Sequence, residues 1–203
     1  MFAKIEEAIT DMKRGRFVVI VDDENRENEG DIVIAASTIT APKLNFMLKH
    51  ARGILCVPVT GARLDELGLP LMVEPHDFNK CAFAISVDSK DTSTGTSVID
   101  RVATIAALVD ENKKAEHFSK PGHIFPLRYT EGGILKREGH TEASVDLAKL
   151  AGLYPAAVIC EILKEDGTMA KLPEILEFSE KHDIKVINIQ DMKEFMKGGN
   201  DGK

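Results

Sequence analysis

The amino-acid sequence predicts an α/β protein of the α+β type, with three α-β-α layers built around a mixed, twisted β-sheet. Apolar runs of strand length alternate with amphipathic segments of helical period along the whole chain. The Asn-Gly and Asp-Gly turns that join the strands of hairpins are scarce. No internal repeat and no stretch rich in Pro, Gly and Ser divides the 203 residues. We therefore expect a single domain over residues 1–203, with a frayed tail at 198–203.

The two periods are clearest near the N-terminus. Apolar residues between Ile5 and Met12 recur at i, i+3, i+4 and i+7, which predicts an amphipathic helix. The apolar runs at 17–21 and 32–36 predict two buried strands on either side of an acidic segment. The remaining elements are predicted by the same criteria. Further helices are predicted from Thr40 to a C-cap at Gly53, from Ser97, from Thr141 to Gly152, at 173–182 and at 190–197. Further strands are predicted at 54–59, 82–87, 123–127 (a short strand), 156–163 and 185–189.

Composition excludes several classes of protein. Asp and Glu number 33 against 26 Lys and Arg, a net charge of −7, which disfavours nucleic acid as a partner. The N-terminus is charged, and no window approaches ~18 uninterrupted apolar residues, so we expect neither a secreted nor a membrane protein. The three cysteines, Cys56, Cys81 and Cys160, are odd in number and widely spaced, which favours a reducing cytoplasm.

The acidic loop, residues 22–31, holds six carboxylates together with one Arg and one Gly. So many like charges cost free energy of folding unless a cation or an Arg neutralises them. In an extended conformation Glu27, Glu29 and Asp31 alternate onto one side, where they could bind Mg²⁺ or Mn²⁺. Gly30 would allow a ligand to approach the backbone closely. A solvated surface loop is the alternative, and the loop alone favours it.

A predicted helix begins within or directly after a short polar segment that contains Arg137, Gly139, His140 and Thr141. Backbone N–H groups and the positive end of the helix dipole bind phosphate at such a position, and Arg137 adds a bidentate partner. His140 could then ligate a metal through a neutral imidazole. The alternative is that Thr141 only caps the helix and His140 is a surface residue.

His123 and Glu161 are candidates for proton transfer. His123 precedes an apolar stretch, where a lone histidine is more often structural than catalytic, and Glu161 lies within an apolar strand, where a carboxylate needs a partner or a ligand. An acid/base pair of the two is one interpretation. The hydroxyl-rich turn at 93–97 either binds an anion or caps a helix. No Walker, GxGxxG, nucleophile-elbow or HExxH motif occurs in the chain.

A resemblance to a known family rests on motifs spread over nearly the whole chain. In order they are DDENRENEGD, STGTSVIDR, KPGHIFPL, REGHTEA, LAGLYPAAVICEI and EFSEKHDIKVINI. Together they resemble 3,4-dihydroxy-2-butanone 4-phosphate synthases of riboflavin biosynthesis. The resemblance implies a lyase that converts D-ribulose 5-phosphate to L-3,4-dihydroxy-2-butanone 4-phosphate and formate through metal-stabilised enediolate chemistry. It also implies Mg²⁺ or Mn²⁺, with two ions per site, and a homodimer.

The resemblance further implies a role for each matching residue. Glu27 and His140 match the metal ligands, with Glu29 near a second ion, and His123 and Glu161 match the residues required for turnover. The positions that match substrate-binding residues are Arg26, Asp31, Arg137, Gly139, Thr141, Glu161, Thr94 and Cys56.

The chain departs from the family pattern in one region. Asn79, Cys81 and Ala84 stand where members commonly have His, Thr and Thr, and Thr96 replaces an aliphatic residue. Some members are fused to GTP cyclohydrolase II, and this chain ends where such a partner would begin. Two other functions are considered: a metal-dependent phosphosugar lyase or isomerase that releases no formate, and a nucleotide- or RNA-binding module.

Overall fold

A mixed β-sheet forms the middle of the molecule. The computed structural model describes residues 2–75 and 81–198, and within these residues seven strands form the sheet. The strands are β1 (Val18–Val21), β2 (Gly30–Ala35), β3 (Cys56–Val59), β4 (Val87–Ser89), β5 (Phe118–Arg128), β6 (Ala157–Glu161) and β7 (Lys185–Asn188). Their order in the sheet is β4-β5-β3-β6-β2-β1-β7. The pairs β1–β7 and β3–β5 are parallel and the others antiparallel, so the sheet is mixed.

Helices cover both faces of this sheet. They are α1 (Ile5–Lys13), α2 (Ala41–His50), α3 (Gly61–Glu66), α4 (Val98–Val109), α5 (His140–Leu150), α6 (Leu172–His182) and α7 (Ile189–Gly198). On one face, the first core packs strand residues against Met47 of α2, Ile105 of α4 and Ile175 of α6. On the other face, the second core contains Met12 of α1 and Met192 of α7, together with residues of α5. The predicted three-layer α-β-α arrangement is therefore confirmed.

Strands β1 and β2 are buried along their whole length. Each contributes alternate side chains to the two cores, with Val19 and Ile32 in the first and Ile20 and Val33 in the second. Their continuous apolar runs are therefore typical of strands covered on both faces.

The predicted strand at 82–87 is wrong in its bounds. The continuous ladder with β5 begins at Val87, and the preceding residues make two isolated bridges, Phe83 to Leu127 in β5 and Ala84 to Leu71 outside the named strands. These bridges lead to two different segments, so no continuous ladder forms before Val87. The short helix α3 was not predicted.

Gly53 was predicted to cap α2, but the left-handed residue after this helix is Arg52, with φ of 74°. Gly53 instead allows its backbone to approach Glu161 closely. A Cβ at Gly53 would lie 2.4 Å from Oε2 of Glu161 and 2.6 Å from its backbone oxygen. Glycine is required here because the chain passes directly against the end of β6.

No helix in the described ranges is both long and apolar enough to cross a membrane. Of the predicted tail at 198–203, only Gly198 belongs to the described residues, as the last residue of α7. Asn79 also lies outside the described residues.

Candidate active site

A small cavity of about 120 Å³ lies where β2 begins and the antiparallel β6 ends, beside the first turn of α5. Strands β2 and β6 place Asp31 directly opposite Glu161 in the ladder. The residues of the expected site that line this cavity are Arg26, Glu27, Glu29, Asp31, Cys56, Arg137, His140, Thr141 and Glu161. The acidic loop and the segment 137–141, more than a hundred residues apart in the sequence, therefore meet at one place.

Asp22 organises the acidic loop. Its Oδ2 accepts hydrogen bonds from Arg26 Nη1 at 2.8 Å and from the backbone N–H of Glu27 at 3.1 Å. Its Oδ1 accepts the backbone N–H of Glu29 at 2.9 Å. This buried carboxylate thereby turns the side chains of Glu27 and Glu29 toward the cavity. Sequence reasoning did not single out Asp22, although Asp at the end of a strand commonly accepts backbone N–H groups in this way.

Gly30 does not lie open to a ligand as the sequence suggested. A Cβ on this residue would lie 2.7 Å from Cδ1 of Ile175 in α6 and 3.1 Å from Val21. The glycine therefore permits close packing of α6 on the start of β2. A larger groove of about 780 Å³ lies against the same loop and shares Arg26 and Glu29 with the cavity. His140 does not line that groove.

Asp22, Glu27 and His140 form a group that fits a divalent metal. Each offers one ligand atom, and these atoms lie within 4.8 Å of one another. His140 Nδ1 lies 3.6 Å from Glu27 Oε2, and its Nε2 is buried with no hydrogen-bond partner among the described residues. A buried polar atom without a partner costs free energy, which a bound ion or ligand would recover. Asp22 already accepts three N–H bonds within the acidic loop.

The charges in the cavity are strongly coupled. The hydrogen bond from His140 lowers the pKa of Glu27 to about 2, against the opposing effect of burial. Burial disfavours the charged form of His140, but the carboxylates of Asp31 and Glu27 outweigh it and raise its pKa to about 9. Burial also raises the pKa of Asp31 to about 7. Such perturbed groups gathered in one cavity are typical of a functional site.

Arg137 is held against α5 by a carboxylate that sequence reasoning missed. Its Nη1 donates to Oε2 of the fully buried Glu142, whose Oε1 accepts the backbone N–H of Thr130 at 3.1 Å. A Cβ at Gly139, the N-cap of α5, would lie 2.4 Å from Arg137 Nη1. The helix begins at His140, one residue earlier than the predicted start at Thr141. The guanidinium is thus fixed beside the positive end of the helix.

Glu161 ends β6 and finds the partner that its position in an apolar strand requires. Its Oε2 accepts the backbone N–H of Ile54 at 2.7 Å, and its carbonyl accepts that of Gly53 at 3.1 Å. Cys56, nearby, is buried, and burial raises the pKa of its thiol, which favours the protonated form.

His123 and Thr94 lie outside the cavity, in a second cluster around Asp88. His123 Nδ1 is 2.7 Å from Asp88 Oδ2, and its side chain is 45% exposed. Thr94 is exposed and precedes Gly95, which packs on this pair. Within one chain the structure does not join His123 to Glu161 as an acid/base pair. Two of the residues that depart from the family pattern lie in different places. Cys81 lines the cavity, whereas Thr96 is exposed.

Comparisons with known proteins agree on one family. A family model described as 3,4-dihydroxy-2-butanone 4-phosphate synthase matches residues 6–195. The enzyme of that name from Agrobacterium fabrum is 50% identical over 198 residues, covering 97% of this chain and 93% of the relative. A crystal structure of a 3,4-dihydroxy-2-butanone 4-phosphate synthase in complex with two magnesium ions superposes with a TM-score of 0.89 at 40% identity, covering 94% of this chain and 95% of that one.

Other relatives are longer than this chain. The riboflavin biosynthesis protein RibBA of Synechocystis is 53% identical over 196 residues, which cover 95% of this chain but 35% of the relative. The chain spans about a third to a half of the length of several of the curated relatives it matches.

Proposed function

The chain belongs to the 3,4-dihydroxy-2-butanone 4-phosphate synthase family, and on that premise we propose that it converts D-ribulose 5-phosphate to L-3,4-dihydroxy-2-butanone 4-phosphate and formate, in riboflavin biosynthesis. The observation that carries the proposal is the convergence of Glu27, His140, Asp31, Arg137 and Glu161 on one small cavity. Carboxylates, an imidazole and a guanidinium at one place suit metal binding, phosphate binding and proton transfer together.

We assign Glu27 and His140 as ligands of a divalent ion, with Glu29 near a second one. The unpartnered Nε2 of His140 and the ionised carboxylate of Glu27 support this assignment. Mg²⁺ or Mn²⁺ suits a set of carboxylate oxygens and one imidazole nitrogen. When bound, such an ion supplies Lewis-acid stabilisation of the negative charge that develops on oxygen when a proton beside a carbonyl is removed.

The phosphate of the substrate is assigned to Arg137, Gly139 and Thr141. The first turn of α5 offers backbone N–H groups and the positive end of its dipole, and Glu142 fixes the guanidinium of Arg137 beside it. Arg26 and Asp31 contact the rest of the sugar in this proposal. Anchoring the phosphate orients the reactive carbons toward the carboxylates across the cavity, which lowers the entropic cost of reaction.

Proton transfer is assigned to Glu161, which lines the cavity, and to His123. His123 of the same chain does not line this cavity. We therefore propose a homodimer in which His123 and Thr94 complete the cavity of the partner copy. Two exposed apolar side chains support this arrangement: Ile54, beside Glu161, is 56% exposed, and Ile99, near Thr94, is 73% exposed. Contact with a partner copy would remove these apolar side chains from water, which favours association.

The central test measures formate released from ribulose 5-phosphate. We expect EDTA to abolish release and added Mg²⁺ or Mn²⁺ to restore it, because the ion stabilises the charge that develops on oxygen. Glu27→Gln and His140→Ala should each lower the rate at least about 100-fold while unfolding remains cooperative. Glu24→Gln, an exposed carboxylate of the same loop, is the matched control and should keep the wild-type rate.

Near-wild-type activity in either ligand variant would contradict the metal assignment. Consumption of ribulose 5-phosphate without formate would instead identify another phosphosugar lyase or isomerase.

A cytoplasmic location is also proposed, supported by the odd number and wide spacing of the three cysteines. Fractionation of cells that express the chain with its native termini tests this location.

A further inference from the structure

The strand that carries His123 leaves the sheet just before this residue. Val87 of β4 pairs with Ile124 of β5, but the next residue, Asp88, pairs with Ser119. Residues 120–123 of β5 therefore have no pairing partner in β4 and form an excursion from the ladder between two consecutive residues of β4, Val87 and Asp88. Bulges of this kind re-aim a side chain, and they occur preferentially next to active sites.

Asp88 holds the end of this excursion with both carboxylate oxygens. Oδ1 accepts the backbone N–H of His123 at 2.9 Å, and Oδ2 lies 2.7 Å from Nδ1 of the same residue. Asp88 itself is 9% exposed. The preceding Gly122 donates its backbone N–H to Ser86 Oγ at 3.2 Å. Backbone and ring of His123 are thus fixed by one nearly buried carboxylate.

Gly95 covers this pair from the turn that carries Thr94. It has φ of 81°, and a Cβ on it would lie 2.1 Å from Asp88 Oδ2 and 2.7 Å from His123 Nδ1. A side chain at this position would displace the contact between carboxylate and ring. Three segments, β4, β5 and the 93–97 turn, therefore converge on the single hydrogen bond between Asp88 and His123.

We infer that Asp88 is a positioning residue that holds His123 in the tautomer with hydrogen on Nδ1, leaving the lone pair on Nε2 to accept a proton. An ionised carboxylate has no hydrogen to donate, so the bond to Nδ1 requires the hydrogen to reside on the ring. The role in catalysis rests on the proposed function, in which His123 transfers protons. The same arrangement of carboxylate, imidazole and acceptor nitrogen orients histidine bases in other enzymes.

The first experiment measures the tautomer directly in the unsubstituted 203-residue chain. Nitrogen NMR of ¹⁵N-histidine-labelled protein, recorded at rising pH until the ring signals no longer change, distinguishes protonated from unprotonated ring nitrogens of the neutral imidazole. The signals of His123 are those lost in His123→Asn. We expect Nδ1 to be protonated and Nε2 to be unprotonated. The opposite tautomer, or an equal mixture of the two, would overturn the inference.

The second experiment separates positioning from a structural role. Asp88→Asn keeps an oxygen for the backbone N–H of His123 but offers an amide that can donate to Nδ1. We expect kcat for formate release to fall by about 10² or more with KM changed less than about twofold, because general acid–base catalysis is worth about 10² to 10⁴ in rate. In a His123→Asn background the same change should have no further effect.

The matched control is Asp91→Asn, which removes an exposed carboxylate paired with Lys113 in the neighbouring turn and should leave kcat unchanged. Wild-type kcat in Asp88→Asn, or an additive loss in the double variant, would refute the role of Asp88. Should Asp88→Asn fail to fold, the tautomer of the wild-type chain still decides. If the wild-type chain releases no formate, the proposed function fails, whereas the tautomer measurement tests the pairing independently.

Discussion

Two histidines of this chain lie beside carboxylates, with different consequences. His140 is buried next to Glu27 and Asp31, and their charges raise its pKa to about 9. His123 is exposed and pairs with Asp88. The first arrangement suits a metal ligand whose proton is displaced by a cation, whereas the second suits a residue that exchanges protons with a substrate.

Metal binding should release a proton from His140. With its pKa at about 9, the imidazole is mostly protonated near neutral pH in the metal-free protein, and a ligating nitrogen must be deprotonated. We expect about one proton released per bound ion at about pH 7.5, and a metal affinity that rises with pH up to about 9. Calorimetry in buffers of different ionisation enthalpy measures the release.

His123→Asn is the control for that titration and should release the same number of protons, since its imidazole lies outside the metal group. Binding without proton release at about pH 7.5 would show that His140 is neutral before the ion arrives.

At the level of elements, a buried arginine joins two helices on the same face of the sheet. Arg63 of α3 donates from Nε to the carbonyl of Leu108 at 2.9 Å, and from Nη2 to those of Asp110 at 2.6 Å and Lys113 at 3.0 Å. Its Nη1 pairs with Glu66 at 2.6 Å. The guanidinium thereby donates to a carbonyl in the last turn of α4 and to two carbonyls in the segment that follows the helix.

Arg63→Met should destabilise the protein by roughly 3 kcal/mol, because the buried carbonyl of Leu108 loses its donor and the part-buried carbonyls of Asp110 and Lys113 each lose one. Urea unfolding with and without the substitution measures the loss. Asp65→Asn, which removes an exposed ion pair with Arg128 from the same helix, is the control and should leave the midpoint nearly unchanged. Equal unfolding midpoints for the two variants would contradict the linking role of Arg63.

The helices and strands were predicted correctly where the local pattern of apolar residues defines them, and incorrectly where pairing between strands defines them. The apolar runs of β1, β2, β6 and β7 were located from sequence alone, as were six of the seven described helices. The excursion at 120–123 was not foreseen, since it exists only as a mismatch of register between two strands. The short α3 was missed because it is only six residues long, too short for a helical period to show.

For the whole molecule, the proposed sharing of sites across a homodimer makes a specific prediction. His123→Asn and Glu161→Gln should each keep less than about 1% of the wild-type formate activity alone, but a mixed dimer of the two would contain one intact site. After subunit exchange between equal amounts we expect about a quarter of the wild-type formate activity, since half of the dimers are mixed and each has one of two sites intact. Native mass spectrometry verifies that mixed dimers form.

Mixing Glu27→Gln with His140→Ala is the control for complementation. Both residues line the same cavity, so every site of the mixed dimer carries one of the two changes and no activity should return. If mixed dimers of His123→Asn and Glu161→Gln are present but inactive, the shared site is refuted.

The candidate site was predictable in its chemistry but not in its partners. The density of carboxylates at 22–31 and the histidine at the start of a helix allowed a cation site and an anion site, and the family resemblance favoured these over a solvated loop and a simple helix cap. Asp22, Asp88 and Glu142 gave no comparable signal, because each acts through a hydrogen bond to a group whose position depends on folding.

From sequence alone, the layered class, most elements and the family were determined, because periodicity and ordered motifs are local properties of the chain. Only the tertiary structure decided that His140 meets Glu27 while His123 meets Asp88. Those contacts depend on the order and register of the strands, which place residues more than a hundred positions apart side by side. Local patterns do not encode which distant strands pair, and that pairing determines the composition of the site.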